Sequence, residues 1–433
     1  MESLPVGSLG DRIVGPGAVR TVGRLATMEL TTRPITEDET VRFREAVMAG
    51  FGEDLDDERF PPEWFADLVP LDRTVAAFDG DQIVGTLAGF PFDVTVPGGA
   101  QIPMSGTTVV TVAATHRRRG ALRSMMRDHL NDGLNRGEPL AGLWSSESQI
   151  YGRFGFGPAT ENDEIEIDQL RVSVEGDAGS VRLVPADEAA GLLPGIYDEE
   201  RRRRPGMLSR NDKWWEHQLH DPSVGRRGYS SLRFAVHETN GVSNGYALYR
   251  QKSDWETGFP DGTILIREVI APTVAAHTGL WRFLTSIDLF PKIKYWNLPV
   301  DDALRWKVPD HRRVKRERWD ALYIRILDVV QALEARTYGG EGTLTFTVAD
   351  GFLPDAGGSF ELTVTGGVGA CRRIDRSVTD LGLDTTDLAS LYLGGRGAVA
   401  MAEAGRIVGA ADAVAMAGRM FRGDVEPWCE EVF

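Results

Sequence analysis

The sequence predicts a mixed α/β fold, and three observations carry that prediction. In the first third, strand-like and helix-like stretches follow one another as strand, helix, meander of strands, helix, strand. The same order recurs more loosely in the middle third, and the last third runs into an α+β module. Such an order layers helices on a mixed sheet, and a ligand sits where a central strand gives way to a helix.

Residues 1–27 are rich in Gly and lack periodicity, so they form an N-terminal extension expected to be disordered, and Met28 is an alternative start. Three units are expected after it, at 28–170, 171–318 and 319–433. In the first, MELTTRPITEDETVRFREAVMAGF begins as strand and passes into a helix with acidic residues in its first turn. Strands follow at TVAAF (74–78), QIVGTLAGF (82–90) and IPMSGTTVVTV (102–112). A helix starts near Arg119, with Leu122, Met125, Met126 and Leu130 on one face, and LAGLWSS (140–146) reads as a buried strand. The second unit runs VRLVP, a helix through Tyr197, SLRFAVHE, GYALYRQ, TILIREVIAP, the helix TGLWRFLTSIDL and IKYWNLPV. The third, from about Trp319, holds LYIRIL, the helix DVVQALEAR, strands TLTFTVAD and SFELTV, and helices near TDLASLYLG and AVAMAGRMF.

Composition narrows the function. The chain has 433 residues, 42% of them hydrophobic, enough for more than one core. No apolar run approaches the roughly 20 residues of a membrane span, and MESLPVGSLGDRIVGPG lacks the apolar region of a secretory signal, so the cytoplasm is the expected location. Two cysteines, Cys371 and Cys429, make neither a disulfide framework nor a thiolate metal site, and seven scattered histidines without a paired motif argue against metal chemistry. With 48 Lys plus Arg against 64 Asp plus Glu, the formal charge of -16 disfavours nucleic acid and favours a cationic partner.

Against that charge, VVTVAATHRRRGALRSMM (109–126) stands out. A turn after a strand would place the backbone N–H groups of Arg118 to Arg123 around the positive end of the next helix, where a pyrophosphate binds. Gly120 lets the ligand approach the backbone, and arginine side chains add charge-assisted bonds. The basic runs RRRR (201–204) and HRRVKRER (311–318) lack a glycine turn and read as solvated or interface faces. Trp214, Trp215, Trp281, Trp296 and Trp306 read as core or subunit contacts. The arginine–glycine turn has no counterpart in APTVAAHTGLWRFL, so the second unit reads as a copy of the first without its anion site.

The turn Arg117-Arg118-Arg119-Gly120-Ala121-Leu122 resembles motif A of the GCN5-related N-acetyltransferases (GNAT), with Leu122 where a small residue is usual. Together with SSESQIYGRFGFGPAT (145–160) and DLASLYLGG, it resembles the enhanced-intracellular-survival (Eis) family from about Met28 to Phe433. The resemblance implies tandem GNAT domains, the second degenerate, a C-terminal sterol-carrier-like domain, acetyl-CoA as donor and a homohexamer. It places acetyl-CoA contacts on Val110, Thr111 and Val112, pyrophosphate contacts on Arg118, Arg119, Gly120, Ala121, Leu122 and Arg123, and a further contacting pair on Ser146 and Glu147. Tyr151 matches the family's general acid and the Phe433 carboxylate its proposed general base, while aminoglycosides or lysine amines are the implied acceptors.

Direct attack of an amine on a thioester needs a proton taken from the ammonium and one given to the leaving thiolate, and no cysteine nucleophile. Carboxylates would attract a polycationic acceptor, and Glu53, Asp54 and Glu431 are the candidates. The alternative is a non-catalytic protein that senses CoA or carries an apolar ligand on its last unit.

Overall fold

The computed structural model describes residues 30–169, 172–176, 179–256 and 258–433; the expected extension at 1–27 and the alternative start at Met28 lie outside them. The first sheet holds β1 (Thr31–Arg33), β2 (Thr74–Asp79), β3 (Gln82–Thr95), β4 (Gln101–Val112), β5 (Leu140–Trp144) and β6 (Gly157–Pro158). Helix α1 (Thr40–Phe51) packs on one face and α3 (Ala121–Asn135) on the other, with α2 (Pro62–Leu68) between α1 and β2 in the chain. Strand β2 shows why its sequence is continuously apolar. Ala76 and Phe78 join Phe43 and Val47 of α1, while Val75 and Ala77 join Met125, Met126 and Leu130 of α3, so both faces are buried. Strand β3 runs on past the expected end at Phe90 to Thr95, through Pro91, with Phe92 and Val94 buried.

The second sheet comprises β7 (Glu161–Asp168), β8 (Ser180–Val184), β9 (Arg233–Thr239), β10 (Val242–Lys252), β11 (Thr263–Ile270), β12 (Lys292–Pro299) and β13 (Val314–Asp320), in the order β13-β7-β12-β11-β10-β9-β8. Its only parallel pair, β11 with β12, is crossed over by the helix Val274–Leu284, which matches the β4–α3–β5 unit of the first sheet. Strand β14 (Leu322–Ile326) then returns to the first sheet between β5 and β6, giving the order β1-β2-β3-β4-β5-β14-β6. A third sheet, β17-β16-β15-β18-β19, holds β15 (Gly342–Ala349), β16 (Gly358–Thr365), β17 (Val368–Ile374), β18 (Leu381–Asp384) and β19 (Val408–Gly409).

The sheets do not respect cuts at 170 and 318. Strand β7, expected in the first unit, belongs to the second sheet, and β14, expected in the third, belongs to the first. The two crossings lie side by side: the Leu322 N–H donates to Thr160 Oγ1 at 2.9 Å and the Ala321 N–H to the Thr160 carbonyl at 3.1 Å. A strand's sheet is set by its partner across the ladder, which chain order does not specify.

The run 201–204 is also not simply solvated. Arg204 is held by Asp301 at 2.8 Å and Glu200 at 3.3 Å, and Arg201, buried, by Asp198 at 2.9 Å. In β13, Arg316 and Arg318 both pair with the buried Asp163, at 2.5 and 2.9 Å. Trp214, Trp215 and Trp281 are core residues, whereas Trp306 is 79% exposed and Trp296 39%. No helix among the described residues is long and apolar enough to cross a membrane, and no group of ligands there could hold a metal ion.

Candidate active site

The site begins where β4 and β5 part. Their parallel pairing ends at Gly106 opposite Gly142, yet β4 continues to Val112 and β5 to Trp144, so the strands splay and leave the end of β4 without a neighbour on that side. Within the splay β4 bulges: Thr111 pairs with Thr86 and Thr108 with Ala88, so Val109 and Val110 together face Leu87. Val109 has φ +47°, a left-handed conformation rare for a β-branched residue, and Thr86 Oγ1 secures its carbonyl at 2.7 Å. The bulge interrupts the β3–β4 ladder at 109–110, beside the splay.

Helix α3 starts beside the splay. Its N-cap is Gly120, at φ +92°, with no side chain to accept from the first turn and no atom within 4 Å of where a Cβ would lie. Arg118 also has positive φ, at +64°, so the turn before the helix contains two left-handed positions. The matching helix of the second sheet differs here, because the Thr273 side chain accepts from the Ala276 N–H at 3.1 Å and caps its own helix. The helix end that is open in one sheet is closed in the other.

A cavity of about 720 Å³ joins these features. Val110, Thr111 and Val112 form one wall; Arg118, Gly120, Ala121, Leu122 and Arg123 another; and Ser146, Glu147 and Tyr151 the third. Of the residues expected to contact the donor, Arg119 alone does not line it. The volume falls in the range of small-molecule sites, about 300–1,000 Å³. An uncapped helix N-terminus, a bulged strand edge and exposed arginines fit a ligand with an anionic end and an amide-bearing stem.

Tyr151 ends the short helix α4 (Ser148–Tyr151) and is 6% exposed, its ring edge-on to Phe156 at 6.2 Å. Burial, with the nearby Glu147 carboxylate, raises its phenol above the usual value, so it stays protonated at neutral pH. The glycines after it are packing devices. A Cβ on Gly155 would lie 1.6 Å from Arg325 Nη1, and one on Gly157 would lie 2.1 Å from the Thr386 carbonyl. Arg325 on β14 is fully buried and donates to the Phe154 carbonyl at 2.6 Å and to Asp350 at 2.5 Å, fixing the loop that carries Tyr151. Nothing in the sequence marks Arg325 for this role, since it stands in an ordinary strand run.

On the other side of β4 lies a second cavity of about 490 Å³, lined by Glu53, Phe65, Trp214 and Phe433 among others. Phe51 lines both cavities. The end of the chain reaches this point along a fastened path. Trp428, Cys429, Glu430 and Glu431 are buried. Asn297 Nδ2 donates to the Cys429 carbonyl at 3.1 Å and to Glu430 Oε2 at 2.9 Å, while Trp144 Nε1 donates to the Glu431 carbonyl at 2.5 Å. Phe433 then sits at the splay, its ring 5.0 Å from Phe92 and 3.1 Å from where a Cβ on Gly106 would stand.

Glu431 is corrected as an acceptor-binding acid. Its side chain is wholly buried, pairs with Arg210, and accepts from Trp214 Nε1 at 2.5 Å and Gln218 Nε2 at 2.9 Å. Arg210 in turn clamps Glu268 with two bonds at 3.0 and 2.9 Å. Burial and the neighbouring Glu268 push the Glu430 carboxyl well up. These groups fill the opening of the second sheet beyond Ile266 and Tyr295, where β11 and β12 stop pairing. Asp54 does not line either cavity; Glu53 lines the second and is paired with Arg59 at 2.9 Å.

A strand splay with a bulge, an open helix start and a second sheet of the same plan define an N-acetyltransferase of the GNAT class. Residues 31–159 match the model of an acetyltransferase (GNAT) domain, 206–326 that of a second acetyltransferase (GNAT) domain, and 329–430 that of a sterol carrier protein domain. An uncharacterized N-acetyltransferase of Streptomyces avermitilis is 39% identical over 414 residues, spanning 94% of this chain and 100% of that one. The N-acetyltransferase Eis of Mycobacterium bovis is 34% identical over 357 residues, 78% of this chain and 84% of that one. The crystal structure of Eis1 from Mycobacterium abscessus superposes with a TM-score of 0.82 at 27% identity, covering 93% of this chain and 100% of that one. The chain belongs to the Eis-like N-acetyltransferases.

Proposed function

We propose that the enzyme moves an acetyl group from acetyl-CoA, held in the first cavity, to an amine held in the second. The observation that carries this reading is the meeting of the two cavities across the bulge of β4, with Phe51 in both walls. The N–H groups and arginines of 118–123 hold the pyrophosphate, residues 110–112 pair with the stem through their free edge, and Ser146 and Glu147 flank it. Acetyl-CoA supplies the activated acyl group; the chain supplies position and protons. Tyr151, protonated at neutral pH, gives its proton to the departing thiolate, and the Phe433 carboxylate takes one from the attacking ammonium. An unperturbed α-carboxyl, at about 3.3–3.7, is a weak base, so part of its contribution is to orient the amine.

Calorimetry tests the first half. Gly120→Asp introduces a side chain and a negative charge at the open helix start, and acetyl-CoA affinity falls at least tenfold; unchanged affinity in a folded variant removes the assignment. Extending the chain beyond Phe433 tests the second half, by lowering kcat while acetyl-CoA affinity and melting temperature hold. The homohexamer implied by the family is proposed as well, on the family resemblance alone, and light scattering on the purified protein decides it.

A further inference from the structure

The arginine run 201–204 divides in two. Arg201 and Arg204 are spent on carboxylates within the protein, while Arg202 and Arg203 line an open cleft of about 380 Å³. Three parts of the chain meet there: residues 97–99 of the β3–β4 hairpin, residues 202–205, and residues 337–339 with 422–425 of the sterol carrier protein domain. The hairpin comes this close because it turns on glycine. Gly99 has φ +86° and a Cβ on it would stand 2.9 Å from the Arg202 carbonyl, while one on Gly98 would stand 2.4 Å from Thr337 Cγ2. The Thr337 N–H donates to the Pro97 carbonyl at 2.8 Å and ties the hairpin to the last domain.

Guanidinium groups outnumber carboxylates in this cleft. Arg202, Arg203 and Arg422 line it, and Asp424 is the one acid among the lining residues. Arg202 is 65% exposed; Asp198 lies 3.7 Å from it and is held more closely by Arg201, at 2.9 Å. Arg203 donates to the Pro272 carbonyl at 2.6 Å and pairs with no acid among the described residues. Arg422 pairs with Glu426. Behind them Arg336, buried and next to Thr337, donates to the carbonyls of Thr337, Tyr392 and Phe421 and to no carboxylate among the described residues. In a chain of formal charge -16, such a gathering attracts an anion.

We infer that the cleft binds a small phosphorylated molecule, at a site that shares no lining residue with the donor cavity. Each guanidinium offers forked N–H donors that suit phosphate or carboxylate oxygens. Three of them around one cleft favour a compact group with more than one negative charge, and a phosphomonoester carries about -1.5 to -2 at neutral pH on three acceptor oxygens. The volume lies within the range of small-molecule sites, about 300–1,000 Å³, so an organic body fits beside the phosphate, against Pro97, Pro205 and Val425. Because such a ligand touches all three parts of the chain, it also stabilises their arrangement.

Calorimetry tests the site with pyrophosphate as a compact phosphate probe and citrate as a carboxylate probe of similar charge. Each is titrated into the full chain saturated with acetyl-CoA, so that the donor cavity is filled. Pyrophosphate is expected to bind once per chain and about tenfold more tightly than citrate. Arg202→Ala weakens it about fivefold, and Asp424→Asn, which removes the opposing acid, tightens it about twofold. Both side chains are exposed, so neither change disturbs the core. No pyrophosphate binding under saturating acetyl-CoA, or an affinity unchanged in Arg202→Ala, overturns the site. Citrate binding as tightly as pyrophosphate overturns the phosphate class.

Discussion

Two glycines of this chain share a positive φ and differ in everything around them. Gly155 stands against Arg325 with no room for a methyl group, and Gly120 faces open space. Gly155→Ala is therefore expected to cost about 3 kcal/mol, from backbone strain plus displacement of a buried guanidinium, and Gly120→Ala about 1 kcal/mol from strain alone. Chemical denaturation of both variants checks the difference, and equal losses would refute the packing role of Gly155. Tyr151→Phe keeps the ring in its pocket and removes only the hydroxyl. Turnover should fall about 10²–10⁴-fold with acetyl-CoA affinity unchanged. Because burial raises the phenol, titration of Tyr151 takes no activity away until the pH passes its ordinary value of about 10.

Elements were readable from the sequence where burial leaves a period. Leu122, Met125, Met126 and Leu130 mark α3, and the double-sided burial of β2 makes its run continuous. The open helix start beside the first cavity was readable too, because a helix start, a glycine and basic residues are adjacent in the chain. The bulge at Val109 was not, since its cause is Thr86 on another strand, and β17 was missed because VGACRRI has only two buried positions. Within α3, His129 lies buried with its Nε2 2.8 Å from Thr107 Oγ1, and burial lowers it to about 4. Its neutral form is the folded one, so the stability linked to it is complete above the unfolded value of about 6.5 and is lost as pH falls towards 4. Thermal melts across that window should show a shallower acid loss for His129→Gln than for the unaltered protein; parallel curves contradict this. His217, lowered to about 4 by burial, adds to the slope in the same window.

The whole molecule is tied together by strand exchange and by the path of residues 428–433. The helix start of the second sheet is capped by Thr273, and its splay is filled by Arg210, Glu268 and Glu430. That sheet therefore holds the chain's own end where the first has an open cavity, a division invisible to any motif because it depends on groups more than 200 residues apart. Glu431→Gln leaves Arg210 partly uncompensated in the interior and should cost about 3–5 kcal/mol; a melting temperature equal to that of the unaltered protein would show the pair to be dispensable. The central claim is that this arrangement transfers acetyl to an amine rather than merely holding acetyl-CoA. Its most direct measurement is the rate of CoA thiol release from acetyl-CoA with and without a panel of primary amines, for the unaltered enzyme and for Tyr151→Phe. The account predicts release that depends on the amine, saturates with its concentration and drops in the variant. Release that is the same with and without amine, or absent while acetyl-CoA is bound, contradicts it.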